Sequence, residues 1–328
     1  MATAGSNTTG QSALGVDPRK AMPGLEENAR AIADRLPELL VDAKRVSQTV
    51  AHGVHGRRRA GPGETFWQFR PYESTDSAQL IDWRRSASSD HLYVREREWE
   101  AAHTVWVWSD LSPSMAFQSH LSRHSKRDRA VVLMLAVADL LVRAGERVGL
   151  MGLSQPTASR RAATILGETI VANAYSHLMM KSRPPKQQLV RFSDAILFGD
   201  FLAPIAAIRE RLEFVAASGS KGHIVQILDP AEETLPYEGR LEFVNASGRE
   251  RFLADRAQSL RSEYQARLQA HRAEIEALCH RLGWSFMVHH TDRPATEPLL
   301  ALFMMMSSGA SSSFRRGGSA VDAGIEGG

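Results

Sequence analysis

The sequence contains almost no cysteine. Cys279 is the single cysteine among 328 residues, so no disulfide can form within the chain. This usage suits a reducing compartment. Cys279 falls in a predicted helix just before Gly283-Trp284. A cysteine at such a position more commonly packs in the core than acts as a nucleophile. We therefore expect a cytoplasmic protein without disulfides.

The chain also lacks a long hydrophobic run. The longest one spans residues 130–142, and Asp139 interrupts it. A membrane-spanning helix needs about 20 apolar residues, so this run is too short to cross a bilayer. Residues 1–22 are small and polar, without the charged region and apolar stretch of a secretory signal. Both absences predict a chain with no membrane span.

A large excess of charge is missing too. The formal net charge is only +3, which does not indicate a nucleic-acid partner. Neither a G-x-x-x-x-G-K-[ST] phosphate loop nor a G-x-S-x-G nucleophile turn occurs. Apolar residues make up 43% of the chain and charged residues 23%, so a normally packed core is expected.

Strand and helix patterns alternate from Thr104 onward, which predicts a mostly parallel sheet with helices on both faces. We predict disordered termini at 1–22 and 308–328, an N-terminal helix with an Arg/Trp-rich segment packed on the core at 23–103, and an α/β domain at 104–307. The predicted strands of the α/β domain are 104–109, 148–153, 194–198, 223–228 and 285–290. The predicted helices are 126–143, 161–180, 203–217, 250–282 and 294–306, and a short strand at 241–245 suggests a hairpin or a sheet edge.

Three of the predicted strands end on or near an aspartate: Asp110, Asp200 and Asp229. In open α/β sheets, ligands bind beyond the carboxyl ends of the strands. Asp110 is followed by Ser112 and Ser114, so one loop offers a carboxylate and two hydroxyls that suit a hard cation such as Mg²⁺. The alternative is that these residues are only turn and helix-capping residues.

The segment TVWVWSDLSPSM, residues 104–115, resembles the first strand and the metal-ion-dependent adhesion motif (D-x-S-x-S) of von Willebrand factor A domains. The preceding segment, GRRRAGPGETFWQFRPYESTDSAQLIDWRRSASSDHLYVREREWE at 56–100, resembles the signature of a bacterial domain-of-unknown-function family, number fifty-eight. That family has a von Willebrand factor A-like (Rossmann-like) core and is typically encoded beside MoxR-type AAA+ ATPases. The resemblance covers about residues 50–230, and more loosely the remainder to 305.

The resemblance implies a Mg²⁺ (or Mn²⁺) site formed by Asp110, Ser112, Ser114 and Asp200. A complete adhesion motif also uses a threonine, usually within Gly-Gly-Thr, and this sequence has no such tripeptide. Thr169 is the nearest candidate, but it falls inside a predicted helix. Either a water replaces the threonine or the metal site has been lost.

The segment from Arg57 to Glu100 holds eight arginines, eight acidic residues and no lysine, and five of the six tryptophans lie between Trp67 and Trp108. Arginine without lysine favours planar, bidentate pairing with nearby carboxylates. We interpret the segment as an ion-paired cap with β structure, with partner docking or nucleic-acid binding as alternatives. Within it, Arg57, Arg58 and Arg59 are the residues expected to contact a partner.

The functional hypothesis is therefore a metal-dependent protein-interaction module. It would act as an adaptor or cofactor of a MoxR-type AAA+ ATPase, or bind the client of that ATPase, in chaperone-like assembly. The alternatives are a metal-dependent hydrolase of phosphate esters, with Asp110 and Asp200 holding an activating cation, and an interaction scaffold with a degenerate metal site.

Overall fold

The computed structural model describes residues 23–55, 66–73, 76–87, 89, 91–97, 103–174, 181–245 and 250–317. The strands are β1 (Phe66–Pro71), β2 (Tyr93–Arg97), β3 (Thr104–Ser109), β4 (Arg147–Leu150), β5 (Asp194–Gly199), β6 (Lys221–Leu228), β7 (Leu241–Val244), β8 (Arg251–Ala254) and β9 (Ser285–His290). The helices are α1 (Pro23–His55), α2 (Trp83–Ser86), α3 (Lys126–Arg143), α4 (Ala162–Ala172), α5 (Ile205–Ala216), α6 (Pro230–Thr234), α7 (Arg261–Leu282) and α8 (Thr296–Gly317).

Five strands form one parallel sheet in the order β4-β3-β5-β6-β9. Successive side chains of a strand point to opposite faces, and β3 shows the consequence. Val105 and Val107 pack in the layer that contains α1, α3, α4 and α8. Trp106 and Trp108 pack in the opposite layer, against α5 and α7. The prediction of a parallel sheet flanked by helices on both faces is confirmed.

Helix α3 lies at the centre of the first layer. Ser125 caps its N-terminus, because the Ser125 hydroxyl accepts a hydrogen bond from the main-chain N–H of Asp128 at 3.1 Å. Most of its side chains are buried. Helix α1 packs against it through an apolar stripe and through two polar contacts: Arg35 pairs with Asp128, and the hydroxyl of Ser47 donates to Asp139 at 2.6 Å.

The long helix predicted at 250–282 is wrong in its first third. Residues Arg251–Ala254 form β8, which pairs antiparallel with β7 and confirms the predicted hairpin. A short 3-10 helix follows, and α7 begins only at Arg261. Cross-strand pairing with β7 overrides the helical charge pattern of this stretch.

Two other helices differ in length from their predictions. Helix α4 ends at Ala172, and residues 175–180 of the helix predicted at 161–180 lie outside the described residues. Helix α8 continues to Gly317, beyond the predicted end at Met306. Residues 1–22 and 318–328 also lie outside the described residues, so the proposed limits of the disordered termini stay predictions.

The Arg/Trp-rich segment contains the predicted β structure. Strands β1 and β2 form an antiparallel hairpin, and Asp82 caps α2 between them by accepting from the main-chain N–H of Arg85 at 2.9 Å. The guanidinium of Arg85 lies over the rings of Phe69 and Tyr93, 5.6 and 5.7 Å from their centroids, a favourable cation–π geometry. None of the described helices is long and apolar enough to cross a membrane.

Candidate cation site at the carboxyl edge of the sheet

The chain reverses its winding direction between β3 and β5. The connection from β3 to β4 runs through α3 on one face of the sheet, and the connection from β5 to β6 runs through α5 on the other face. The carboxyl ends of β3 and β5 therefore diverge into separate loops and leave a crevice between them. Such a switch point is where open α/β sheets bind ligands. Asp110 and Asp200, the residues that follow these two strands, lie at this crevice.

Asp110 is completely buried. Its main-chain N–H donates to the carbonyl of Phe198 at 2.8 Å, and its Oδ1 accepts from the main-chain N–H of Ser112 at 2.8 Å. Gly199 permits this approach, because a Cβ at that position would lie 3.0 Å from the Cβ of Asp110. The other carboxylate oxygen, Oδ2, has no hydrogen-bond partner among the residues that the structure describes. Burying a charged oxygen without a partner is costly, so this atom marks an incomplete site.

Ser112, Ser114 and Asp200 form a continuous hydrogen-bonded chain beside Asp110. The two serine hydroxyls are 3.1 Å apart, and Ser114 Oγ donates to Asp200 Oδ2 at 2.9 Å. Asp200 is fixed further because its Oδ1 accepts from the main-chain N–H of Leu202 at 3.2 Å. The structure thus brings together all four side chains that the sequence grouped as metal ligands.

Lys126 belongs to the same cluster, and the sequence interpretation missed it. Its side chain is 1% exposed, and its Nζ lies 3.0 Å from Asp200 Oδ2 and 2.6 Å from Glu232 Oε1. Burial alone would lower the pKa of the ammonium, but the charges of Asp200 and Glu232 outweigh burial and raise it. The only sequence signal was a lysine in the charged first turn of α3, and such a turn looks the same in the sequence as a solvent-exposed helix end.

The buried charges shift the protonation of the carboxylates. Burial, and then repulsion from Asp200, raise the pKa of Asp110 from 3.8 to about 7, although hydrogen bonds from Ser112 and the charge of Lys126 oppose the shift. Burial also raises the pKa of Glu232, against the attraction of Lys126. A second positive charge beside Asp110 would therefore stabilise its ionised form.

Asp229, the third aspartate at a strand end, has a different role. It caps α6 in a capping box: its Oδ1 accepts from the main-chain N–H of Ala231, and Glu232 Oε2 accepts from the main-chain N–H of Asp229, both at 2.9 Å. Its Oδ2 accepts from the main-chain N–H of Ser119 at 2.9 Å. Both carboxylate oxygens of Asp229 are satisfied, so this residue matches the structural alternative of turn and cap.

The donor set around Asp110 suits a small divalent cation. Octahedral Mg²⁺ binds oxygens at about 2.0–2.1 Å, which places adjacent ligand oxygens about 3 Å apart. The Ser112 and Ser114 hydroxyl oxygens are 3.1 Å apart, and the main-chain N–H of Ser112 holds the carboxylate of Asp110 at the start of the same loop. Within the described ranges, no group of three or more His, Cys, Asp and Glu side chains forms a metal site. A cation here would therefore depend on the serine hydroxyls.

The remaining predicted site residues lie elsewhere. Thr169 lies inside α4, and its hydroxyl donates to the main-chain carbonyl of Ile165 at 2.7 Å. Within the described part of the chain, none of its hydrogen bonds reaches the four clustered side chains. Arg57, Arg58 and Arg59 lie outside the described residues, so their role in partner binding stays a prediction.

Comparison with known proteins identifies the family. The profile of DUF58, a protein family of unknown function, matches residues 68–274. The chain belongs to the DUF58 family. Uncharacterised proteins of Mycobacterium bovis and of two Mycobacterium tuberculosis strains are each 27% identical to it over 286 residues, covering 80% of this chain and 86% of theirs.

Two solved structures are similar over part of the fold. The conserved hypothetical protein BatB from Bacteroides thetaiotaomicron aligns with a TM-score of 0.35 at 15% identity, and covers 63% of this chain and 100% of its own. An aerotolerance-related membrane protein from Bacteroides fragilis aligns with a TM-score of 0.34 at 14% identity, with the same coverage.

Proposed function

We propose that this protein is a cation-dependent protein-interaction module with a von Willebrand factor A-like core. The observation that carries the proposal is the buried Oδ2 of Asp110, which has no hydrogen-bond partner among the described residues and belongs to the same loop as the paired Ser112 and Ser114 hydroxyls. The parallel sheet, with its switch point at this loop, and the D-x-S-x-S pattern support the assignment of the core. A carboxylate that served only as a cap would have both oxygens satisfied, as Asp229 has.

The residues that would hold Mg²⁺ or Mn²⁺ are Asp110, Ser112 and Ser114, directly, and Asp200 directly or through water. Asp200 Oδ2 already accepts from Ser114 and from Lys126, which favours the indirect arrangement. When bound, the ion supplies an open coordination position that a carboxylate of the partner fills. The protein residues keep the oxygens aligned before the partner arrives, because the loop and the strand ends are hydrogen-bonded to each other.

The proposed partner is a MoxR-type AAA+ ATPase or the client protein that such an ATPase remodels. This choice rests on the family resemblance of residues 56–100. The protein would then act as an adaptor in a chaperone-like assembly pathway in the cytoplasm. An adaptor needs a rigid scaffold and a switchable docking point, and the buried site at the sheet edge fits that requirement.

The test is an affinity capture of a purified MoxR-type ATPase in Mg²⁺ and in EDTA. We expect capture in Mg²⁺ by the wild-type chain and by the control variant Asp255→Ala, which removes an exposed carboxylate. EDTA or Asp110→Ala should abolish capture. Capture that is equal in Mg²⁺ and EDTA would contradict the role of the cation, and no capture in either would contradict the choice of partner.

One observation favours a second candidate, an interaction scaffold with a degenerate metal site. The ammonium of Lys126 already lies against Asp200 inside the cluster, so part of the buried negative charge is neutralised by the protein itself. In that case the partner would be captured without a divalent ion. Capture that persists in EDTA but is lost on Lys126→Met would support this scaffold.

A further inference from the structure

A cavity of about 260 Å³ opens at the carboxyl ends of β3 and β4, next to the loop that carries Asp110. Its floor is apolar and comes from both strand ends and from α4. The main apolar lining residues are Trp108, Leu111, Leu150, Met151, Leu153 and Ile170. Ligand pockets for whole cofactors are usually about 300–1,000 Å³, so this cavity has the size for one bulky side chain.

Positive charge surrounds the cavity. Four of its lining residues are cations: Lys181, Arg183, Lys186 and Arg211. Lys186 pairs with the exposed carboxylate of Glu210 at 2.6 Å, whereas the described residues that line the cavity include no Asp or Glu. Among the described residues, no ion pair involves Lys181, Arg183 or Arg211, so the rim carries an excess of positive charge.

Two buried polar atoms of the lining lack hydrogen-bond partners among the described residues. They are Ser109 Oγ and Arg211 Nε. Buried donors of this kind are rare, because each one left unpaired destabilises the fold. These two donors lie in a cavity with an apolar floor and a positively charged rim. The combination indicates a ligand that has both acceptor oxygens and apolar surface.

The cavity and the candidate cation site share one loop. Ser109 and Leu111 line the cavity, whereas Asp110 between them belongs to the cluster with Ser112, Ser114 and Asp200. A single extended segment that binds at this edge can therefore contact both. Its carboxylate would approach the cation, and a neighbouring apolar side chain would meet the cavity.

We propose that the cavity receives a large apolar side chain from an acidic docking segment of the partner protein, with further carboxylates of that segment paired to Lys181, Arg183 and Arg211. This inference rests on the proposed function, since it names the chemistry of the segment whose carboxylate fills the open position of the cation. The segment is an acidic peptide with one bulky apolar residue. Charge complementarity with the rim steers its approach, and burial in the cavity selects the apolar residue.

The test uses a fluorescein-labelled peptide, Gly-Glu-Phe-Glu-Asp-Gly, with the full chain in Mg²⁺, followed by fluorescence polarisation. A second peptide has alanine in place of phenylalanine. Burial of the phenylalanine side chain removes a large apolar surface from water, so we expect the alanine peptide to bind at least about tenfold more weakly.

The protein variants isolate the rim from the cation site. Lys181→Glu with Arg183→Glu reverses two rim charges and should weaken binding of the phenylalanine peptide by about tenfold or more. The matched control, Arg209→Glu with Arg281→Glu, makes the same change of charge at exposed positions that do not line the cavity, and should bind like wild type. Thermal melting of both variants checks that the fold is retained.

The outcomes separate this inference from the proposed function. Binding that is lost in EDTA and in Asp110→Ala but unchanged by the rim variant and by the alanine peptide overturns the cavity inference and leaves the cation proposal intact. Binding that needs the rim and the phenylalanine but not the cation supports the cavity and overturns the cation proposal. No binding at about 1 mM peptide overturns the cavity inference.

Discussion

The ends of β3 and β6 carry the same local sequence feature and use it differently. Both strands end in a buried aspartate, Asp110 and Asp229. At the end of β6 the carboxylate accepts from two main-chain N–H groups and a serine hydroxyl and caps a helix. At the end of β3, one oxygen accepts from Ser112 and the other has no partner within the described residues.

This difference shows that an aspartate at the end of a strand is not by itself evidence of a ligand-binding site. What distinguishes the two is the balance of buried charge and hydrogen bonds. Asp229 is satisfied by the protein, so its charge stabilises the fold. Asp110 is buried beside Asp200 without full compensation, so its charge stabilises the fold only when another positive charge is present. Of these two aspartates, we therefore propose only Asp110, and not Asp229, as a ligand of a cation.

We expect the largest loss of stability from a substitution of Lys126, the residue that links the two strand ends. Lys126 connects them, because its ammonium contacts Asp200 near Asp110 and Glu232 in the capping box of Asp229. Lys126→Met leaves both carboxylates buried without their cation, and we expect a loss of about 3–5 kcal/mol in the free energy of unfolding. Urea denaturation measures this loss. Lys186→Met, which breaks the exposed pair with Glu210, should have a much smaller effect on the unfolding free energy because solvent screens that pair, and equal effects of the two variants would contradict the account.

Asp110→Asn should instead stabilise the metal-free protein at alkaline pH. Because burial and Asp200 raise the pKa of Asp110 from 3.8 to about 7, the folded state holds a proton that the unfolded state releases. Stability is therefore lost as the pH rises from about 4 to about 7 and then stays constant, a total of about 4 kcal/mol. The variant lacks this loss.

Urea denaturation in EDTA at a series of pH values checks this prediction. The difference in unfolding free energy between Asp110→Asn and wild type should grow from near zero at pH 4 to its maximum at pH 8. A difference that does not change with pH would show that Asp110 titrates normally in the folded protein.

Asp229→Ala should change the free energy of unfolding in the opposite direction to Asp110→Asn. It removes a helix cap and leaves the main-chain N–H groups of Ser119 and Ala231 without their acceptor, so we expect a destabilisation of about 2 kcal/mol. The same urea experiment at pH 8 provides the measurement. If Asp229→Ala and Asp110→Asn shift stability in the same direction, the two strand ends do not differ as described.

Ser114→Ala is expected to have the smallest effect on stability, about 1 kcal/mol, because it removes one hydrogen bond to Asp200. Its effect on cation affinity should be larger than its effect on folding, since Ser114 is a proposed ligand. Paired urea denaturation and Mn²⁺ titration of this variant test the separation. A normal Mn²⁺ affinity would remove Ser114 from the ligand set.

Periodicity and strand-end position were sufficient to predict the core fold. The five strands and helix α3 were found because each carries a continuous apolar run or an amphipathic pattern that tertiary packing preserves. The pattern failed at Arg251–Ala254, which was predicted as the start of a long helix but pairs with β7 instead. Only six residues separate the two strands, and strand formation there depends on cross-strand packing more than on the intrinsic preference of the residues.

The sequence predicted only part of the cluster at the candidate site. The grouping of Asp110, Ser112 and Ser114 follows from one loop, and Asp200 follows from the parallel strand ends. Lys126 and Glu232 were not predictable, because their contact depends on how α3 and α6 approach the same crevice. The sequence also could not predict that both carboxylate oxygens of Asp229 have hydrogen-bond partners, because one of these partners, Ser119, lies 110 positions away in the chain.

The most direct test of the account is calorimetric titration of Mn²⁺ or Mg²⁺ into the metal-free protein at pH 8. We predict binding to the wild-type chain and to Asp255→Ala, whose lost carboxylate is exposed, and no binding to Asp110→Ala. Equal binding to all three proteins, or binding to none, would contradict the claim that the unpartnered oxygen of Asp110 belongs to a cation site.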